Sequence, residues 1–188
     1  AGLLPKYRLL VEKLAQQGGL RHVDGINLRM DVGRLSPEHA QVLSHVDAVR
    51  EILERGGCAA QTILMTDLDW AVEKEGGLSA FDQAAYLVRG DLVLRALGIQ
   101  PMLDVRNMDY ERLGTGLTYR RKLSSPPLTE RLPTFQLKPA WWAVARTRAL
   151  LDQLTLVGDV SVPDVVPGMT RGRLYARKTD ARAVLILW

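Results

Sequence analysis

The sequence predicts an α/β (or α+β) fold, in which a mixed sheet with flanking helices precedes a basic C-terminal helix and a β-hairpin. Over the first 106 residues, apolar runs of strand length alternate with segments whose apolar residues follow helical spacing, in the order β-α-β-α-β. Near the end of the chain, two strand-like runs flank a short polar turn. Because consecutive parallel strands need a long crossover, the helices between the first strands favour an α/β sheet.

The first three elements of the core are predicted from spacing and stop signals. Residues 5–17 have the apolar spacing of a short amphipathic helix, and residues 25–32 alternate as a strand does. Ser36-Pro37 predicts the start of a second helix, because a capping hydroxyl is followed by proline at the first helical position. Gly56-Gly57 is expected to end that helix.

The next elements contain the acidic residues on which the functional interpretation depends. A continuous apolar run predicts a strand over residues 62–72, and Ser79 with Asp82 predicts a capping box at the start of a further helix. Gly90 interrupts the apolar pattern of that helix, so the sequence does not decide whether the segment forms one helix or two. Residues 99–105 are predicted to form another buried strand.

The C-terminal part begins with an irregular stretch and ends in strands. Residues 113–138 are rich in glycine, proline and serine, and a helix is expected over about 139–155. Trp141-Trp142 is interpreted as an anchor for this helix, with one ring in the core and the other at a groove or partner surface. Strands are expected at about 156–162, 171–177 and 182–188, the last two forming the hairpin.

Charge divides the 188-residue chain into two parts. Residues 1–112, the predicted α/β core domain, carry 13 Lys and Arg against 16 Asp and Glu, a net charge of −3. Residues 113–188 carry 12 Lys and Arg against 5 Asp and Glu, a net charge of +7. They are predicted to be a basic extension packed on the core domain, or part of one single domain with it. This asymmetry favours a polyanionic partner for the C-terminal part, or docking onto an acidic neighbour.

Composition indicates an intracellular protein. The single cysteine, Cys58, excludes an internal disulfide and a zinc site made of several cysteines. No apolar run approaches the roughly 18–20 residues needed to span a bilayer, and the first residues lack the apolar core of a signal peptide. We therefore expect no membrane span and a reducing compartment, either the cytoplasm or an organellar matrix.

Two aspartates within the strand predicted over 62–72 suggest a metal site. Asp67 and Asp69 are two residues apart, so an extended strand would direct both toward the same face. Asp104 lies in the strand predicted over 99–105, and the three carboxylates would meet if these strands are neighbours. Carboxylates in buried surroundings need neutralisation, and hard oxygen ligands suit Mg²⁺ or Mn²⁺. The alternative is structural: an Asp-x-Asp pair at a strand end often forms a turn or caps the next segment.

The arrangement of these motifs resembles the minimal nucleotidyltransferases of the DNA polymerase β type. The resemblance covers residues 56–105: a Gly-Gly turn, an Asp-x-Asp strand, a helix, and a strand with a third carboxylate. It implies that Asp67 and Asp69 hold catalytic metals and that Asp104 is the third ligand. It also implies that Gly56 and Gly57 bind the nucleotide by approaching its triphosphate.

Basic residues in the C-terminal part suggest a nucleic-acid-binding surface. If residues 171–177 are a strand, its arginines and Tyr175 share one face, and cations with an interleaved aromatic ring suit phosphates and unstacked bases. The alternative is a solvated strand face with Leu174 and Ala176 directed inward. The candidate nucleic-acid-binding residues are Arg120, Arg121, Lys122, Arg171, Arg173, Arg177 and Lys178.

Two hypotheses about function follow from the sequence. The first is a Mg²⁺-dependent (or Mn²⁺-dependent) enzyme acting on a nucleotide or nucleic-acid phosphate, with nucleotidyl transfer as the preferred reaction. The second is a non-catalytic α/β subunit of a larger assembly that binds nucleic acid or protein. In the second case the carboxylates are structural and the basic hairpin is a docking surface.

Overall fold

The computed structural model describes most of the chain and shows a mixed α/β fold. For Asp31, Asp67 and Asp69 it describes the backbone alone. The described residues are 4–72, 78–99, 118–119, 136–160, 172–177 and 182–187. They fall into two compact units, Ala1–Ala143 and Val144–Trp188. The domain boundary predicted at residue 112 lies outside these ranges and stays a prediction. The same holds for the strand predicted over 99–105, of which only Ile99 is described.

The first unit contains a β-α-β-α core. Its helices α1 and α2 pack against each other, and β1 and β2 form a two-stranded parallel pair. A short antiparallel pair of strands, β3 and β4, comes later in this unit. In chain order the elements are α1 (Leu4–Gln16), a 3₁₀ turn (Gly19–His22), β1 (Gly25–Asp31), α2 (Val42–Arg55), β2 (Thr62–Asp69), α3 (Ala80–Ala96), β3 (Thr118–Tyr119) and β4 (Gln136–Leu137).

Helix α2 begins five residues later than the sequence predicted, at Val42 and not at Pro37. Ser36 does cap a turn, since its Oγ accepts a hydrogen bond from the His39 backbone N–H at 3.4 Å and its carbonyl accepts one from Ala40 at 2.8 Å. Gln41 then adopts a left-handed backbone conformation, with φ of 55°, which interrupts the helical path. The prediction of a helix starting at Ser36-Pro37 was therefore wrong, and the helix starts after this left-handed residue.

Strand β2 contains a β-bulge that the sequence analysis did not predict. In the parallel register, Leu28 of β1 is the partner of Met65, but the next residue, Arg29, is the partner of Asp67. Thr66 is thus an extra residue on β2. Such an insertion reverses the faces of all residues that follow it.

The bulge allows both halves of β2 to bury their apolar residues. Before the bulge, the odd-numbered residues Ile63 and Met65 are buried. After it, the even-numbered residues Leu68 and Trp70 are buried. In a regular strand, alternation from Met65 would instead bring positions 67 and 69 into the core. The extra residue therefore keeps the two aspartate positions off the buried face.

Helix α3 is one continuous helix, capped as predicted. The Ser79 Oγ accepts a hydrogen bond from the Asp82 backbone N–H at 3.0 Å, and the Asp82 carboxylate accepts one from the Ser79 N–H at 3.2 Å. Gly90 does not break the helix. A Cβ at this position would lie 3.0 Å from the Trp70 ring and 3.2 Å from Leu68, so glycine lets α3 pack closely against β2.

The second unit is built on an antiparallel three-stranded sheet. Helix α4 (Pro139–Leu151) leads into it, and the strands are β5 (Thr155–Val160), β6 (Gly172–Ala176) and β7 (Ala183–Leu187). The sheet order is β5-β6-β7, so β6 is central and β6 and β7 form the predicted antiparallel pair. Among the described residues, no helix is both long and apolar enough to cross a bilayer.

Candidate metal centre at the carboxyl edge of the parallel strands

The carboxyl ends of β1 and β2 bring aspartate positions together. The strands run parallel, and Asp31, the last residue of β1, is the register partner of Asp69, the last residue of β2. Neighbouring strands lie about 5 Å apart, so the backbones of these two residues are adjacent. Asp67 precedes Asp69 by two residues on the same strand. Three aspartates therefore occupy one edge of the parallel pair, which we call the carboxyl edge.

Asp31 is a candidate site residue that the sequence analysis missed. It lies between Met30 and Val32, which are both buried, just as Asp69 lies between the buried Leu68 and Trp70. Because strand residues alternate between faces, positions 31 and 69 belong to the face opposite the core. The signal was present in the sequence, since Met-Asp-Val and Leu-Asp-Trp end two strands with the same apolar-acid-apolar pattern.

Polar residues precede the aspartates on the same two strands. Arg29 is exposed and is the register partner of Asp67. The Thr66 hydroxyl, at the bulge, donates a hydrogen bond to the Asn27 Oδ1 at 2.8 Å. This arrangement offers two means of neutralising carboxylates at the edge, a bound cation or the neighbouring guanidinium.

Trp70 fixes the end of β2 immediately after Asp69. Its indole Nε1 donates a hydrogen bond to the Leu35 carbonyl at 2.7 Å, and its own carbonyl accepts one from the Gln83 Nε2 at 2.6 Å. Trp70 and Gln83 are both fully buried. These bonds join the segment after β1, the end of β2 and the first turns of α3, so the backbone beside Asp69 is held from both sides.

A second layer of contacts supports the same edge. The Tyr86 ring packs edge-on against Trp70, with centroids 5.9 Å apart, and the Arg89 guanidinium lies 5.4 Å from the centre of the Tyr86 ring. Arg89 also forms a two-pronged ion pair with Glu38, with its Nε 3.1 Å from Oε1 and its Nη2 against Oε2. Burial raises the pKa of Glu38, but hydrogen bonds from Arg89, the Glu38 backbone and Ser36 outweigh it and lower that pKa overall.

Gly56 and Gly57 lie away from the aspartates. They end α2 in a motif in which the Gly57 N–H bonds to the Glu54 carbonyl at 3.0 Å and the Cys58 N–H to the Leu53 carbonyl at 2.8 Å. The chain then enters β2 at its amino end, about 23 Å along the strand from Asp69. The predicted nucleotide-binding glycines and the predicted metal-binding aspartates therefore do not form one site.

A cavity of about 330 Å³ lies at this amino end, opposite the carboxyl edge. Leu53, Ile63 and Ile99 form its apolar lining, and Arg50 and Gln61 are among its polar lining residues. The Arg50 Nη2 donates a hydrogen bond to the carbonyl of Leu97, the C-cap residue of α3. Arg50 thus also connects α2 to the end of α3.

The basic residues on β6 are not arranged as predicted. Arg173 is 4% exposed, and its Nε lies 2.9 Å from the Asp159 Oδ1 on β5. Tyr175 is 2% exposed, whereas Leu174 and Ala176 are half-buried. The expectation that Arg173 and Tyr175 face solvent was wrong, because they lie on the more deeply buried face of β6. A buried, ion-paired guanidinium is poorly placed to contact a phosphate backbone.

Of the remaining six predicted nucleic-acid-binding residues, the structure describes only Arg177. Arg177 follows β6, is half-buried and donates a hydrogen bond from Nη2 to the Asp152 carbonyl at 3.5 Å. The others lie outside the described residues and stay predictions, namely Arg120, Arg121, Lys122, Arg171 and Lys178.

Both tryptophans of the Trp141-Trp142 pair are exposed. Trp141 is 38% exposed and Trp142 is 64% exposed, while the buried residues of α4 are Ala140, Val144 and Leu151. The interpretation that one ring sits in the core was therefore wrong. The residues of this helix that are fully buried are small or branched aliphatic residues, and neither tryptophan is among them.

The side chains of the three aspartates at the carboxyl edge lie outside the described structure. Aspartate oxygens are the hard ligands that Mg²⁺ and Mn²⁺ prefer. Asp104, the predicted third ligand, also lies outside the described residues. Among the side chains that the structure does describe, no group of three His, Cys, Asp or Glu residues could hold a metal ion.

Comparison with known proteins gives no further guide to the site. No family model, no curated protein and no solved structure matches this chain.

Proposed function

We propose that the carboxyl edge of β1 and β2 binds Mg²⁺ or Mn²⁺ and that the chain is an enzyme acting on a nucleotide or nucleic-acid phosphate. Nucleotidyl transfer is the preferred reaction. The observation that supports the proposal is the register between Asp31 and Asp69, with Asp67 two residues before Asp69. Ligands in open α/β sheets commonly bind at the carboxyl ends of the strands, which is where these aspartates lie.

In this proposal Asp67 and Asp69 hold the cation, and Asp31 is added to the residues expected from the sequence. Asp104 completes the site or acts as the base that accepts a proton from the attacking hydroxyl. The bound cation supplies charge neutralisation of the phosphate and a lowered pKa for that hydroxyl. The Trp70 and Gln83 hydrogen bonds contribute by holding the end of β2 in place.

Thermal melting with and without Mg²⁺ or Mn²⁺ tests the cation site. A ligand that binds only the native state stabilises it by about 2.7 kcal/mol at a free concentration of about 100 times Kd. For a chain of this size that corresponds to an increase in Tm of about 5–10 °C. Asp67→Asn and Asp31→Asn should each reduce the increase. Asp47→Asn, which changes an exposed acid on α2, should leave it intact.

Activity is tested by incubating the protein with an oligonucleotide and nucleoside triphosphates and measuring oligonucleotide extension and pyrophosphate release. Both should require the divalent cation and should be lost in Asp67→Asn. An unchanged Tm with either cation, or the same increase in Asp67→Asn as in the parent protein, would contradict the metal site.

The second candidate function is a non-catalytic subunit of a larger assembly that binds nucleic acid or protein. The observation that favours it is the position of Arg29 opposite Asp67 in the register, since a guanidinium can neutralise a carboxylate without any metal. Arg29→Ala separates the two candidates. It should strengthen cation binding if the aspartates form a metal site, and it should only destabilise the fold if Arg29 is their structural partner.

A further inference from the structure

Helix α4 exposes aromatic surface that the fold does not use. Trp142 is 64% exposed and Trp141 is 38% exposed, although tryptophan is a residue that usually buries a large apolar area. Ala140, Val144 and Leu151 are the buried residues of this helix. Most of the Trp142 side chain is therefore not used in packing, whereas Trp141 is partly covered.

A cation lies on the same side of the helix as the more exposed ring. Arg146 follows Trp142 by four residues, which places the two side by side on one helix face. Arg146 is exposed, and within the described structure it forms no hydrogen bond or ion pair. Helix α4 contains no acidic residue, and the sequence from residue 113 onward has a net charge of +7. An exposed arginine thus lies beside an exposed indole on this face.

We propose that this face of α4, formed by Trp141, Trp142 and Arg146, is a stacking site for single-stranded nucleic acid. Unpaired bases stack on exposed aromatic rings, and arginine binds the phosphates that connect them. Paired bases in a duplex offer no free ring face, which favours a single strand. The positive charge favours a polyanion over an apolar protein partner. The inference deepens the proposed function and rests on it for the class of substrate.

Binding of a fluorescently labelled oligothymidylate of about 16 nucleotides, measured by anisotropy in EDTA, tests the proposal. Trp142→Ala should weaken binding about 5-fold to 100-fold, the range expected for loss of one base-stacking contact. Trp142→Phe should restore most of the affinity, because it keeps an aromatic ring. Arg146→Gln should reduce the slope of log affinity against log salt by about 0.7, the value expected for one lost phosphate contact.

The control variant is Leu9→Ala, which removes an exposed apolar side chain from α1 and should bind as the parent protein does. Because EDTA removes divalent cations, this assay does not depend on the aspartates. The melting experiment, in turn, reports on the aspartates without nucleic acid. Either proposal can therefore fail while the other stands.

Three results would overturn the stacking site. The first is an absence of oligothymidylate binding by the parent protein. The second is unchanged affinity and salt slope in Trp142→Ala and Arg146→Gln. The third is sedimentation showing that the parent protein self-associates and that Trp142→Ala abolishes the association, which would make this face a contact between two copies of the chain.

Discussion

The Gln83 side chain donates a hydrogen bond from Nε2 to the backbone carbonyl of Trp70 at 2.6 Å, and both residues are fully buried. Trp70 follows Asp69 directly, so this bond connects α3 to the strand end at which the aspartates are grouped. A buried amide that satisfies a backbone carbonyl restricts how that strand end can move. The geometry of the proposed metal centre thus depends on a residue that carries no charge.

Replacing Gln83 with methionine should destabilise the protein by about 1–3 kcal/mol, because it leaves the Trp70 carbonyl buried without this donor. The change preserves the length of the side chain, so the lost hydrogen bond is the main difference. Urea unfolding followed by circular dichroism measures the effect. Gln16→Met, at the end of α1, is a control for the substitution itself, and an equal loss of stability in both variants would argue against the bond.

Gly90→Ala should also destabilise the protein, although alanine is the better helix former by about 1 kcal/mol. The added Cβ would meet the Trp70 ring at 3.0 Å and Leu68 at 3.2 Å. The Trp70 ring has little room to move, because it is fully buried and its Nε1 is hydrogen-bonded. Overpacking of this kind typically costs about 1–3 kcal/mol.

The matched change is Ala85→Gly, at an exposed position of the same helix, which should cost about 1 kcal/mol through helix propensity alone. The two variants test opposite substitutions in one element, measured by the same unfolding experiment. A Gly90→Ala protein more stable than its parent would show that α3 and β2 are not packed as closely as described.

Much of the fold could be predicted from local sequence signals. The capping box at Ser79 and Asp82, the strands predicted over about 25–32 and 62–72, and the C-terminal hairpin pair are confirmed. Each depends on periodicity or on contacts within a few residues, which a single sequence displays directly.

What could not be predicted depends on contacts distant in sequence. Gly90 was interpreted as a possible break between helices, because its close approach to Trp70 exists only after α3 packs on β2. The pairing of Asp31 with Asp69 depends on the register of two strands, which the bulge at Thr66 sets. The burial of Arg173 depends on which face of β6 the rest of the fold covers, which the sequence of the strand does not state.

The ion pair between Glu38 and Arg89 should make stability depend on pH in the acidic range. The pKa of Glu38 is lowered in the folded protein, because hydrogen bonds, chiefly from Arg89, outweigh the effect of burial. A carboxyl with a lowered folded pKa contributes stability above its unfolded pKa, near 4.5. That contribution is lost as the pH falls through the folded value.

Glu38→Gln should therefore flatten the decrease in unfolding free energy below about pH 4.5, compared with the parent protein. Urea unfolding at a series of pH values measures this slope. Glu51→Gln, an exposed position on α2, provides the control. If Glu38→Gln has the same pH profile as the parent protein, the ion pair does not stabilise the fold.

Deleting Thr66 should abolish folding, because Thr66 is the extra residue that reverses the faces of β2. Without it, regular alternation from Met65 brings positions 67 and 69 onto the buried face and turns Leu68 and Trp70 outward. Burying two carboxyl groups and exposing two large apolar side chains should cost an amount comparable to the stability of a typical domain, which is about 5–15 kcal/mol. Thr66→Ala keeps the chain length and removes only the hydroxyl bonded to Asn27, so it should cost about 0.5–1.5 kcal/mol. Circular dichroism and cooperative unfolding distinguish the two variants, and a folded Thr66 deletion with unchanged stability would show that the bulge does not keep the aspartates out of the core.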